Sequence, residues 1–375
     1  MKLIASLMIL VSSTVSYCQT YKQSLSIHIP FAPQRFKMDN KHYVCYELHI
    51  TNFSLQKVKL QEIVVSVRDS KTTFFKGDAD ELSKRFQKVG THVKDSVLVM
   101  KPGGSGVLYL EIEVPEIKDA FVLQHQISLS LYAESGDEKE VINGIELEVP
   151  KEKAISIGPP LKGGLWTAIH HPSWERGHRR VIYTLGGKAR IPGRYAIDFV
   201  KVNDEGLTTS GEADHVDSWL GYGAEVLAVA DGVVSSVNKS FPEVDKLSEH
   251  PAYGATKATG NYVSIKIGKG VYAFYEHLKP NSISVKAGQK VKKGDMIALL
   301  GFTGQTTNPH LHFHMASNDS PLGAEGIPYV FDSFNHVGVY DELDNLGKKK
   351  WISNSNSNSL RREERPVPNS VVEFK

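Results

Sequence analysis

In His310-Leu311-His312-Phe313-His314 the residue types and their spacing point to chemistry. On an extended strand side chains alternate between faces, so the three imidazoles project together while Leu311 and Phe313 turn toward a core. Two imidazoles on one rigid strand can meet one metal ion, or one can bind it while the other works on substrate. A lone His-x-His is as often a plain polar sheet face. The approach to this one, Gly301 to Pro309, is a turn-rich run suited to holding the pentad at a cleft rim. Two further positions join it. Tyr275-Glu276-His277-Leu278 closes an apolar run with an imidazole, and Asp198 sits between Ile197 and Phe199. A carboxylate in an apolar strand is costly to bury unless it is paired or bound to a cation. The bland alternative for Asp198 is an ion pair with Arg194 or Arg180.

These groups need a scaffold, and short apolar runs punctuated by glycine supply it: 196–200, 226–230, 262–265, 271–275 and 296–300. They place a β-rich domain over residues 165–343. The insertion Phe241 to Thr259 is polar and loop-like, fit to wall a cleft. Residues 19–150 alternate with period two at Val44-Tyr46-Leu48-Ile50, Leu108-Leu110-Ile112-Val114 and Ile127-Leu129-Leu131, with turns such as Pro102-Gly103-Gly104. That is an antiparallel pattern with one buried face, and its length suggests an immunoglobulin-like β-sandwich. One helix is expected over Asp80 to Val89, where Leu82, Phe86 and Val89 share a face. Residues 151–164, with Gly158-Pro159-Pro160 and Gly163-Gly164, read as a linker open to proteases. Residues 344–375 read as a polar tail: Ser353 to Ser359 as a flexible spacer, and Val371 to Phe374 as a possible last edge strand. His170 and His171 are expected in a surface turn.

Composition narrows the functional classes. The chain has 375 residues, 44 Lys plus Arg and 42 Asp plus Glu, a net charge of +2. No basic patch recruits nucleic acid. Two cysteines, Cys18 and Cys45, exclude a disulfide scaffold and a cysteine-built zinc site. Lys2, the apolar run Leu3 to Val11 and small residues at Ser16 and Cys18 read as a signal peptide over 1–18, which implies an exported, periplasmic or extracellular protein. A lipid anchor on Cys18 is the rival reading. No run of 18 apolar residues suggests an integral membrane span.

Taken in order, 194–199, 223–234, 260–263, 275–278, 285–295 and the pentad resemble the lysostaphin-type (LytM-like) zinc metallopeptidase family over roughly Trp166 to Ala316. The resemblance implies a compact antiparallel β peptidase domain with its active site in a groove, which with the sandwich before it makes an all-β chain. It implies zinc held by Asp198 and His312. His277 and His310 would act as catalytic residues that orient or deprotonate the attacking water and stabilise the tetrahedral intermediate. It also implies a cell-wall or other extracytoplasmic peptide as substrate. The sequence departs from the family at one point: the first zinc-ligand His, four residues before the Asp, is Arg194, which stays protonated and cannot coordinate. His178 is the first candidate to replace it and His314 the second. The alternative is a catalytically inactive protein on the same fold that binds cell wall or activates a partner hydrolase.

Overall fold

The computed structural model describes residues 24–375 apart from 69, 71, 91–97, 117–118, 134–135, 172–176 and 355–358. The expected signal peptide and most of the Ser/Asn spacer lie outside the described residues. Among those described, no helix is long and apolar enough to cross a membrane.

The chain is almost entirely β. In the N-terminal half, period-two alternation sends Val44, Tyr46, Leu48 and Ile50 of Lys41–Asn52 and Leu108, Leu110 and Ile112 of Ser105–Val114 into one core. One sheet runs Leu25–His28, Lys41–Asn52, Ser105–Val114, Phe86–Lys88. The other runs Gly136–Val149, Phe121–Ala133, Lys57–Val67, Thr73–Gly77. The two sheets pack face to face around that core as a sandwich. The single α-helix among the described residues is shorter than expected, Ala79–Arg85, with Asp78 capping it by accepting from the Glu81 amide. Phe86 does not extend it, because Phe86–Lys88 pairs with Ser105–Val114, and Val89 is exposed.

One strand departs from simple alternation. Residues 44–48 of Lys41–Asn52 are buried on both faces. The second face, carrying Cys45 and Glu47, docks on the C-terminal half, and Phe36, Met38 and Cys45 share a core with Tyr195, Ile197 and Phe331. The two halves therefore meet through packed apolar surface.

The C-terminal half is organised on a twelve-stranded sheet whose centre runs Leu165–Ile169, Ile197–Val202, Leu311–Ala316, Val271–Glu276, Tyr262–Gly268, Gly232–Asn238. Two expectations are corrected here. The linker is pinned: Ile155–Ile157 pairs in parallel with Tyr329–Val339. Ile157 and Leu161 enter the core, so apolar burial outweighs the turn signals between them. The tail is not an edge either. Ser370–Glu373 lies between Leu165–Ile169 and Tyr329–Val339, hydrogen-bonded to both, and Val372 and Phe374 are in the core. His170, expected in a surface turn, is buried with Nε2 3.0 Å from the Pro366 carbonyl. The returning tail covers it.

Candidate active site

Strand register assembles the site. Asp198 stands directly opposite His312 on one side, and Glu276 stands opposite His312 on the other. Directly paired residues share a sheet face, so Asp198, His312 and Glu276 form one row. His310 and His314 flank that row on the same face, while Leu311, Phe313 and Met315 are fully buried behind it. The alternation read from the pentad is thus the alternation of a central strand.

Three imidazoles converge on one carboxylate. Asp198 Oδ1 is 2.7 Å from His312 Nδ1 and 3.4 Å from His310 Nε2; Asp198 Oδ2 is 2.9 Å from His178 Nε2. Burial alone would push the Asp198 carboxyl up, but the His178 and His310 imidazoles outweigh it and hold the group well below the usual carboxylate range. Among the described residues its ion-pair partners are imidazoles, while Arg194 turns to Glu47 and Arg180 to the Lys84 carbonyl, contrary to the bland alternative.

His277 and His310 sit side by side, ring centroids 4.7 Å apart. Nδ1 of His277 is 2.7 Å from the Thr303 carbonyl, and Nδ1 of His310 is 2.8 Å from the Asn308 carbonyl. A carbonyl can only accept, so each Nδ1 carries a proton and each Nε2 is the working atom. Burial and then the neighbouring His310 and His312 push the His277 imidazole well down, favouring its neutral form. At His310 burial acts the same way, but Asp198 overrides it and favours the cation.

His178 reaches Asp198 from a short 3-10 turn, His178–Arg180. Its own φ is +45°, a left-handed conformation uncommon for a non-glycine residue. Gly193 permits the approach: a Cβ there would lie 2.8–2.9 Å from the backbone O, C and Cα of His178. The two arginines after His178 tie the turn to the sandwich. Arg179 donates from Nε to Glu47 at 2.8 Å and from Nη2 to the Tyr46 and Leu110 carbonyls. Arg180 donates to the Lys84 carbonyl and lies over the Tyr109 ring. Arg194 points the same way: Nε is 2.9 Å from Glu47, and Nη1 is 2.8 Å from Glu325 and 3.1 Å from the Gly326 carbonyl. The position that the resemblance would make a metal ligand instead ties the two halves together through Glu47.

Ligand atoms of His178, Asp198 and His312 lie within 4.8 Å of one another, as do those of His277, His310 and His312. Two imidazoles and a carboxylate, with no thiolate, are a donor set that suits zinc. His178, Asp198, His312, His277 and His310 are therefore brought together. His314 is not beside Asp198; it lies past His312, stacked on Phe274 at 4.9 Å. Sequence reasoning missed Glu47, Arg179 and Gly193. Glu47 occupies an outward position in its strand's alternation, which reads as solvent-facing, and no local signal marks Gly193 as the point of contact with His178.

A cleft of about 970 Å³ opens over the site. His178, Asp198, His277, His310 and His312 line it on one side. His49, Gln87, Val107 and Tyr109 of the sandwich and Ala255 and Ala258 of the insertion line it too.

Residues 214–323 match the profile of peptidase family M23. That stretch holds His277, His310, His312 and His314; His178 and Asp198 precede it. An uncharacterized metalloprotease of Haemophilus influenzae is 41% identical over 103 residues, 28% of this chain and 18% of that protein. Peptidoglycan DD-endopeptidase ShyB of Vibrio cholerae is 38% identical over 102 residues, 27% of this chain and 20% of that protein. Glycyl-glycine endopeptidase ALE-1 of Staphylococcus capitis is 29% identical over 145 residues, 38% of this chain and 32% of that protein. The chain matches a third or less of the length of each of these relatives.

Proposed function

From the premise that this chain carries a peptidase family M23 domain of the lysostaphin type, we propose that the protein is a zinc-dependent metalloendopeptidase that cleaves bacterial cell-wall peptide outside the cytoplasm. The observation that carries the proposal is the convergence of His178 and His312 on Asp198, with His277 and His310 beside them in one cleft. Two relatives named as peptidoglycan DD-endopeptidase and glycyl-glycine endopeptidase support the substrate class. The Lys2 to Val11 pattern supports export.

His178, Asp198 and His312 would hold the ion. A zinc ion, when bound, supplies Lewis acidity to a peptide carbonyl and to water. The neutral His277, with its Nδ1 proton tied to Thr303, presents Nε2 to take a proton from the attacking water. His310, held as a donor by Asn308 and Asp198, stabilises negative charge developing on the carbonyl oxygen. The sandwich wall and the insertion flank the peptide and limit water around the scissile bond. The rival reading, an inactive binder, rests on Arg194 alone; the proximity of His178 to Asp198 supports the enzyme instead.

The test uses the purified full chain. Zinc measured by mass spectrometry and soluble muropeptides released from isolated cell wall should both be present. Both should be lost with a chelator, and His277→Ala should lose hydrolysis while keeping zinc. Full zinc occupancy with no release from any cell wall or peptide cross-link would contradict the proposal.

A further inference from the structure

On the far side of His312 from Asp198 lies a second set of donors that the proposed reaction does not use. Glu276 and His314 are 5% and 1% exposed, and both border the floor of the cleft. Oε1 of Glu276 and both ring nitrogens of His314 make no hydrogen bond. The approach of His314 Nδ1 to Glu276 Oε1 is 3.7 Å, too long for one. Buried polar atoms without partners are costly, and an ion held between Oε1 of Glu276 and one ring nitrogen of His314 would satisfy both. Among the described residues no Lys or Arg is ion-paired with Glu276. Ligand atoms of Glu276, His312 and His314 lie within 4.8 Å of one another. The His314 ring is fixed flat against Phe274, with an interplanar angle of 9°, so its nitrogens are held in place before any ligand arrives.

We propose that Glu276 and His314, with His312 at the border, form a second divalent-cation site of zinc type beneath the first. The occupant is a small divalent ion rather than a substrate ammonium. Both side chains are almost sealed, and an ion bonded at about 2 Å to nitrogen and oxygen needs far less room than an alkylamine. His312 stands between the two sites, opposite Asp198 on one side and opposite Glu276 on the other. With two donors of its own, and water completing its coordination, the second site binds zinc more weakly than His178, Asp198 and His312 do. The proposal leans on the peptidase reading only for the first ion.

Zinc is titrated into the metal-free full chain and bound ions are counted by native mass spectrometry and calorimetry. The wild type should take two ions, the second at least tenfold weaker. Glu276→Gln and His314→Phe, which keep the shape of the carboxyl and the ring stack, should each take one, and the retained tight ion reports an intact fold. A wild type that saturates at one ion overturns the second site and leaves the peptidase reading standing. So does a second ion that survives both substitutions, or a substitution that removes both ions, which would make the pair a support of the first site. A wild type that takes no zinc would sink the peptidase reading as well.

Discussion

Arg194 Nε lies 2.9 Å from Glu47 Oε2, and both side chains are buried between the sandwich and the C-terminal sheet. Arg179 reaches the other oxygen of the same carboxylate. Burial alone would push the Glu47 carboxyl up, but Arg194 and Arg179 outweigh it and hold it below the usual range. Two residues that flank the candidate metal site in sequence, one just after His178 and one four before Asp198, are thereby anchored on the N-terminal half. The sandwich positions the site as well as walling its cleft.

A pH dependence follows from that carboxylate. The unfolded chain binds the Glu47 proton near pH 4.5, the folded chain only at lower pH, so folding stability is fully present above pH 4.5 and is lost as pH falls through the folded value. Urea midpoints should drop across this acid range. Glu47→Gln should remove that part of the drop and cost about 3–5 kcal/mol at pH 7, because it leaves two buried guanidinium groups without their counter-charge. Equal midpoints for the two proteins at pH 7 would contradict the account.

Arg194→His restores the family pattern on paper. Here it should cost about 3–5 kcal/mol through the same broken pair and should not raise zinc stoichiometry at the tight site, where His178 is the proposed ligand. A stable variant that gains zinc and hydrolysis would show that the wild-type site is incomplete.

Gly193→Ala tests the positioning of His178 without replacing any candidate ligand. Its methyl group would meet the His178 backbone at 2.8–2.9 Å, so the turn must shift. Zinc affinity should fall at least tenfold while the melting temperature moves by only a few degrees, as expected for about 1 kcal/mol. Unchanged affinity would remove His178 from the ligand set.

His277→Ala and His310→Ala address the two imidazoles proposed to act on substrate. Each should lower kcat by about 10²–10⁴-fold with zinc retained, the range for removing a positioned acid–base group. Zinc loss in either variant would instead move that residue into the ligand set.

Much of the site was legible in the sequence because it is written in strand periodicity. The pentad's alternation set the imidazoles on one face, and Asp198 stood out as a charge inside an apolar strand. The second half of the fold was legible for the same reason. What escaped is what local pattern cannot encode. Glu47 reads as a solvent position because alternation does not say which outward faces dock on another domain. Residues 155–161 read as linker because glycine and proline mask the burial of Ile157 and Leu161. Val371 and Val372 read as an edge because their strand neighbours lie some thirty-five and two hundred residues earlier. Helix periodicity overran at Phe86, where a strand partner took the residue instead.

His178 is proposed to supply the ligand that Arg194 cannot. The most direct measurement is zinc affinity by competition with a chromophoric chelator, comparing His178→Ala with His312→Ala in the full chain, both checked for unaltered circular dichroism. The two substitutions should weaken the tightly bound zinc by similar factors, at least a hundredfold. Affinity that falls for His312→Ala but stays at the wild-type value for His178→Ala would contradict that role for His178.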